Sequence, residues 1–316
     1  MTRISSSTSM VWRAPLACVA ALLCALPAAG CGLGAGSGGG DATIVVTEDF
    51  GARVLGSHVD RDVPESETAL RATERNFDVK TSYGGRFVDS IDGVAGSGRR
   101  DWFFFVDGSV GDKSAADVQL QNDAHVWWDY RDWSGSQNVD AVVGQYPAPF
   151  AGDADGAARE VAVRCAPGAD VRPLCDTVAR SLTAAGASAA VQPLSAAAPT
   201  GSPSVLVGPW RALRADAAVR ELDSGPARSG VFARFDASGE RLDLLDPSGD
   251  VAETAAAGAG LVAAVEHRGE PVWVVTGTDA AGVTGAADAL DAERLRAHFA
   301  LAVLSGKGDV ALPAAR

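Results

Sequence analysis

The stretch Asp101–Trp133, DWFFFVDGSVGDKSAADVQLQNDAHVWWDYRDW, carries four of the chain's seven tryptophans and a run of three phenylalanines. Side chains alternate across a strand with a period of two. Read as a strand, its first segment puts Trp102, Phe104 and Val106 on one face and Phe103 and Phe105 on the other. In the second segment Val126, Trp128 and Tyr130 lie together, and Trp127 points with Asp129. Both faces of the pair are therefore apolar. A sheet with a helix on one side needs only one apolar face, so the second must be covered by another part of the chain, by a partner or by a ligand.

The flanking sequence predicts a small mixed sheet with one helix. ATIVVTEDF, from Ala42 to Phe50, alternates and is rich in β-branched residues, which reads as a strand. Val63 to Phe77 places Leu70, Thr73 and Phe77 at helical spacing, with Ser66 or Glu67 as the cap. Thr81 to Val94 reads as a hairpin-like pair broken by Gly84-Gly85. With the two aromatic strands, the predicted order is β-α-β-β-β.

QYPAPFAGDADGA, from Gln145 to Ala157, breaks this pattern with prolines, glycines and aspartates, and predicts a boundary between a domain at 42–145 and another at 158–316. Beyond it, REVAVRCA, AAVQPL and SVLVGPW read as strands, and DVRPLCDTVARSLTAAGA and RALRADAAVRELDSGP as helices. Four strand-like segments follow between Gly230 and Asp279, and two helices, Ala280 to Leu290 and Ala292 to Leu304, are predicted to close the chain. The expected class is α+β: a mixed sheet with one helix, then an α/β domain.

The N-terminus resembles a bacterial lipoprotein signal. Arg3 and Arg13 accompany the apolar run APLACVAALLCAL, and LPAAGCG follows. The resemblance implies removal of residues 1–30, acylation of Cys31 and a flexible Gly/Ser tether over 31–41 that holds the chain at the outer side of the cell membrane. Ala28 stands where that pattern prefers an aliphatic residue such as Leu, so ordinary signal cleavage is the alternative. Cys165 and Cys175 are then the only thiols of the mature body, and in an oxidising compartment they predict a disulfide.

Other chemistry finds little footing. A formal net charge of −13 argues against nucleic acid as a partner, since phosphate backbones need basic surfaces. A zinc site would need further ligands near the cysteines, and no histidine lies between Arg131 and Ser204. Asp101, Asp107, Asp112, Asp117 and Asp123 lack EF-hand spacing and read as turn and loop carboxylates. Thr278 and Asp279, after VWVVTG, read as a helix cap rather than a nucleotide loop. His58, His125, His267 and His298 are scattered, and no nucleophile motif is present. The expectation is a non-enzyme with no cofactor and no metal.

Several ordered marks, ETAL opening the helix, GGRFVDSIDG, WFFFVDG and a final VWWDY, resemble the transcobalamin-like C-terminal domain family over roughly residues 42–133. Asp107 stands where that family commonly has Asn, and QNDAHV lacks its usual glycine before the last strand. The resemblance implies a β-grasp-like domain exported for ligand capture or surface interaction. It implies Trp102, Phe104, Trp127 and Tyr130 as ligand-binding positions. The leading expectation is a protein that binds a small ligand, with a corrinoid as the candidate, for uptake by a membrane transporter. The alternative is a non-catalytic module that docks a protein or wall polymer.

Overall fold

The computed structural model describes residues 40–64, 66–152, 157–198 and 200–315. The signal segment, Cys31 and most of the tether lie outside the described residues. The fold is α+β and mostly sheet. In chain order the first half comprises β1 (Ala42–Glu48), β2 (Arg53–Asp60), α1 (Ala69–Asn76), β3 (Val79–Ser82), β4 (Phe87–Ile91), β5 (Val94–Ala95), β6 (Arg100–Val106), β7 (Ser109–Val110) and β8 (Ala124–Asp132). The second half comprises β9 (Glu160–Cys165), α2 (Arg172–Ala184), β10 (Ser188–Pro193), β11 (Ser204–Pro209), α3 (Trp210–Leu213), α4 (Ala217–Asp223), α5 (Pro226–Ser229), β12 (Ala233–Phe235), β13 (Leu242–Leu245) and β14 (Val251–Ala255). It closes with β15 (Ala259–His267), β16 (Glu270–Gly277), α6 (Ala280–Asp288), α7 (Ala292–Leu295), β17 (Ala300–Leu304) and β18 (Gly308–Leu312).

The first sheet runs β2-β1-β8-β6-β7, with β1 and β8 parallel and the other neighbours antiparallel. Two hairpins in this half turn on Asp-Gly pairs, Asp92-Gly93 and Asp107-Gly108, all four residues at positive φ. That is the turn geometry whose twist matches the flanking strands. α1 begins after Thr68, whose hydroxyl accepts from the Arg71 amide, and not at Ser66 or Glu67 as predicted. Glu67 is instead buried and paired with Arg75, which also pairs with Asp60. Strand β2 was not anticipated, because polar residues and Gly56 interrupt its alternation; it lies on the sheet edge and pairs β1 through a bulge at Val46/Thr47.

The larger sheet runs β10-β9-β11-β16-β15-β17-β18. Its first four strands are parallel and the rest antiparallel. Strands β11, β15 and β16 are almost wholly buried, as their near-continuous apolar runs require. A disulfide joins Cys165, at the end of β9, to Cys175 in the first turn and a half of α2. The predicted helix from Arg211 to Pro226 is broken after Leu213, because the Asp216 side chain caps α4 and also binds Arg164 at 2.8 Å.

The final predicted helix, Ala292 to Leu304, is corrected: only Ala292–Leu295 is helical. Ala297 takes a positive φ, its amide bonds the Gly144 carbonyl, and Ala300–Leu304 enters the sheet between β15 and β18. Tertiary pairing here overrides the helix propensity of alanine and leucine.

The described residues form one compact unit. The first sheet has a separate core on one face, where Ile44, Val46, Trp102, Val126, Trp128 and Tyr130 meet Leu70, Phe77, Val88 and Ile91. Its other face shares a core with the second half: Phe50, Phe105 and Trp127 cluster with Val142, Phe232 and Phe299. The segment read as a boundary contributes to that core, since Tyr146 and Phe150 are buried with their rings 5.9 and 4.9 Å from Trp273.

Candidate ligand-binding cleft

The period-two reading places the aromatic side chains correctly, and the structure shows what covers each face. Trp102, Phe104 and Tyr130 lie on the α1 side. Trp102 and Tyr130 are buried and Phe104 is half-buried, tilted against Trp128 at 4.9 Å. Their polar atoms have interior partners: Trp102 Nε1 donates to the Val94 carbonyl, Trp128 Nε1 to Thr73 Oγ1, and the Tyr130 hydroxyl to the Ala95 carbonyl. The Arg100 guanidinium sits 4.7 Å above the Tyr130 ring. Trp127 stands on the opposite face, so the four expected ligand residues do not share one surface.

On that opposite face the second half supplies most of the cover. Phe299 meets Phe50, Phe105 and Trp127 edge-on at 5.1 to 5.6 Å, pairs that add about 0.5–1.5 kcal/mol each beyond burial. Trp127 Nε1 donates to Thr47 Oγ1, which donates to Asp129 at 2.6 Å. Asp129 also accepts from the Phe50 and Gly51 amides. Fully buried Arg131 lies 3.8 Å from Asp129, with the rings of Phe50, Phe103, Phe105 and Phe299 within 5.7 Å of its guanidinium. Burial raises the Asp129 carboxyl and lowers Arg131 to about 10. Three donated hydrogen bonds and the adjacent guanidinium favour the carboxylate and oppose that rise.

The halves approach so closely beside Trp127 that only glycine fits at 144: a Cβ there would lie 2.6 Å from the His298 amide nitrogen and 2.8 Å from the Trp127 ring. Gly144→Ala is expected to cost about 1–3 kcal/mol, as overpacking does, and thermal denaturation of the variant checks it.

This cover stops short of the sheet edge. Thr43 and Val45 on β1, Ser57 and Val59 on β2 and His125 on β8 share the face of Trp127 through the strand pairing. Beyond them the chain turns away, leaving a cleft of about 330 Å³ walled on the far side by Tyr146, Pro147, Ala292, Arg296 and Ala297. Trp127 forms its inner wall, and Val54 and Val59, each 53% exposed, stand at its mouth.

The floor is held by Gln145, whose Nε2 donates to the His125 carbonyl and whose Oε1 accepts from the Gly108 amide, both at 2.7 Å. Burial lowers the His125 imidazole below its ordinary value, which favours the neutral ring. The Arg296 guanidinium is engaged by Glu293 at 2.5 Å. The cleft therefore offers apolar walls, hydroxyl and amide groups, and no uncommitted charge, the make-up of a site for a small uncharged ligand.

Of the expected positions only Trp127 lines this cleft. Sequence reading missed Val54 and Val59 because β2 lacks clean alternation, and it missed Tyr146, Pro147 and Ala297 because they reach the sheet only through tertiary packing. Trp102 and Phe104 border a second, open groove on the other face, and Tyr130 borders neither. Among the described residues, no group of three or more His, Cys, Asp or Glu side chains is arranged to hold a metal ion.

The family described as Domain of unknown function (DUF4430) matches residues 66–132, from just before α1 to the end of β8. A comparison with curated proteins finds no match.

Proposed function

We propose that the chain is an exported, non-catalytic binding protein that holds a small, largely apolar ligand in the cleft between Trp127 and the segment Ala292 to Ala297. The carrying observation is that the second half covers the inner face of the first sheet except for one concave, mostly apolar strip, whose Arg296 is paired with Glu293. The first half is a β-grasp-like, transcobalamin-like domain at 42–145, and residues 158–316 form an α/β domain that closes over it. Support for the domain reading is the family match at 66–132, which lies within the region of resemblance. Support for export is the Cys165–Cys175 disulfide, which suits an oxidising compartment. Anchored through lipid at Cys31, the protein would present its ligand to a membrane transporter.

A cavity of about 330 Å³ is at the lower end for a drug-sized ligand. A corrinoid would place only an edge of its ring system inside. The test is a thermal-shift titration of the full chain with cobalamin, cobinamide, vitamins and small apolar compounds. At least one is expected to raise Tm progressively with its concentration, by the equivalent of about 2.7 kcal/mol at one hundred times Kd. Val59→Trp, a change at an exposed edge-strand position that fills the mouth, is expected to abolish the shift while leaving the unliganded Tm close to wild type.

A surface-interaction module is the second reading, favoured by Tyr83 and Phe87 at the β3–β4 hairpin, 84% and 43% exposed. It expects no compound to raise Tm.

A further inference from the structure

A second concavity lies on the opposite face of the first sheet. Phe87, Val88, Trp102, Phe104 and Trp128 border a groove of about 300 Å³ between the β3–β4 hairpin and the loop that carries Lys113. Two features distinguish it from the cleft. Phe87 is 43% exposed, and half-buried Phe104, tilted against Trp128 and packed by Gly111, adds a ring edge, so the groove presents aromatic surface to solvent. The charged residues on its rim are both basic, in a chain of net charge −13. Lys113 has no carboxylate partner among the described residues, and Arg86 reaches only Asp117, at 3.9 Å, with its side chain 72% exposed.

We infer that this groove is a binding site for a flat organic anion, an aromatic ring system bearing a carboxylate. The rings would lie against the exposed face of Phe87 and the edge of Phe104, and the carboxylate would meet Lys113 and Arg86. Aromatic floors accept ring systems of many kinds and are attractive to planar groups in offset or edge-on geometry. The two cations supply the selection, since an isosteric neutral compound gains the same ring contacts and no ion pair. The site is independent of the cleft beside Trp127, which lies on the other face of the sheet.

Calorimetric titration of the full chain with 2-naphthoate and with neutral 2-naphthamide tests it. Naphthoate is expected to bind roughly tenfold tighter than the amide at low salt, as two partly exposed ion pairs allow, and to lose that advantage in high salt. The double variant Arg86→Gln/Lys113→Gln, changed only at rim side chains, is expected to bring naphthoate down to the affinity of the amide and to leave the amide unchanged. Val59→Trp is expected to leave naphthoate binding intact. Equal affinity for the two compounds, no binding of naphthoate, an unaffected double variant, or loss of binding in Val59→Trp would each overturn the proposal.

Discussion

Asp129→Ala is expected to lower stability by about 3–5 kcal/mol, the range for removing one partner of a buried ion pair. Asp129 is fully buried and accepts from Thr47 Oγ1 and the amides of Phe50 and Gly51. Removing it orphans the two amides, leaves the Thr47 hydroxyl only its longer bond to the Trp128 carbonyl, and leaves the Arg131 guanidinium, fully buried among four phenylalanine rings and without a hydrogen-bond acceptor, also without its counter-charge. Arg131→Met should cost less, because Asp129 keeps its three donors. The double variant Asp129→Ala/Arg131→Met should recover part of the loss, since its remaining defect is the orphaned donors alone. Chemical denaturation of the three variants measures this ordering. A double variant no more stable than Asp129→Ala would mean that the unpaired charge is not the dominant cost.

Asp107→Asn is expected to stabilise the protein at neutral pH by about 1–3 kcal/mol. Asp107 holds the first position of the β6–β7 turn at a φ of 48° and accepts from the His125 amide at 2.8 Å. Burial raises its carboxyl from 3.8 to about 6, outweighing that hydrogen bond and the Arg159 charge. The folded state thus prefers the neutral acid. Its contribution is fully present below about pH 4 and is lost as pH rises to about 6, a swing of roughly 3 kcal/mol. Asparagine keeps an acceptor oxygen, tolerates the left-handed backbone and never ionises. The stability difference between variant and wild type should therefore grow between pH 4 and pH 6 and level off above it. Denaturation midpoints across that range read it directly, and a difference independent of pH would refute the assignment to Asp107.

The parts of the fold legible in the sequence were those with local causes. The alternation at Trp102 to Val106 and Val126 to Tyr130 sorted the aromatic residues onto their two faces, because strand geometry leaves no other arrangement. Asp107, read as a turn carboxylate, opens the β6–β7 turn, and Cys165 and Cys175 form the predicted bridge. What failed depended on distant chain. Ala300–Leu304 has the composition of a helix, yet it fills a place between β15 and β18 that its own residues do not announce. Strand β2 exists because β1 offers an edge. The ring packed on Trp127 is that of Phe299, more than a hundred residues away, and the cleft is what that cover leaves open. One of its walls, Trp127, was nameable in advance; Val59 and Ala297 became neighbours only on folding.

The most direct test of the cleft beside Trp127 is a valine-methyl NMR titration of the full chain with the compound that raises Tm most. The methyl signals of Val45, Val54 and Val59 are expected to move saturably and those of Val88, in the groove on the other face, to stay in place. Shifts centred on Val88, or none at the three cleft valines, would contradict it.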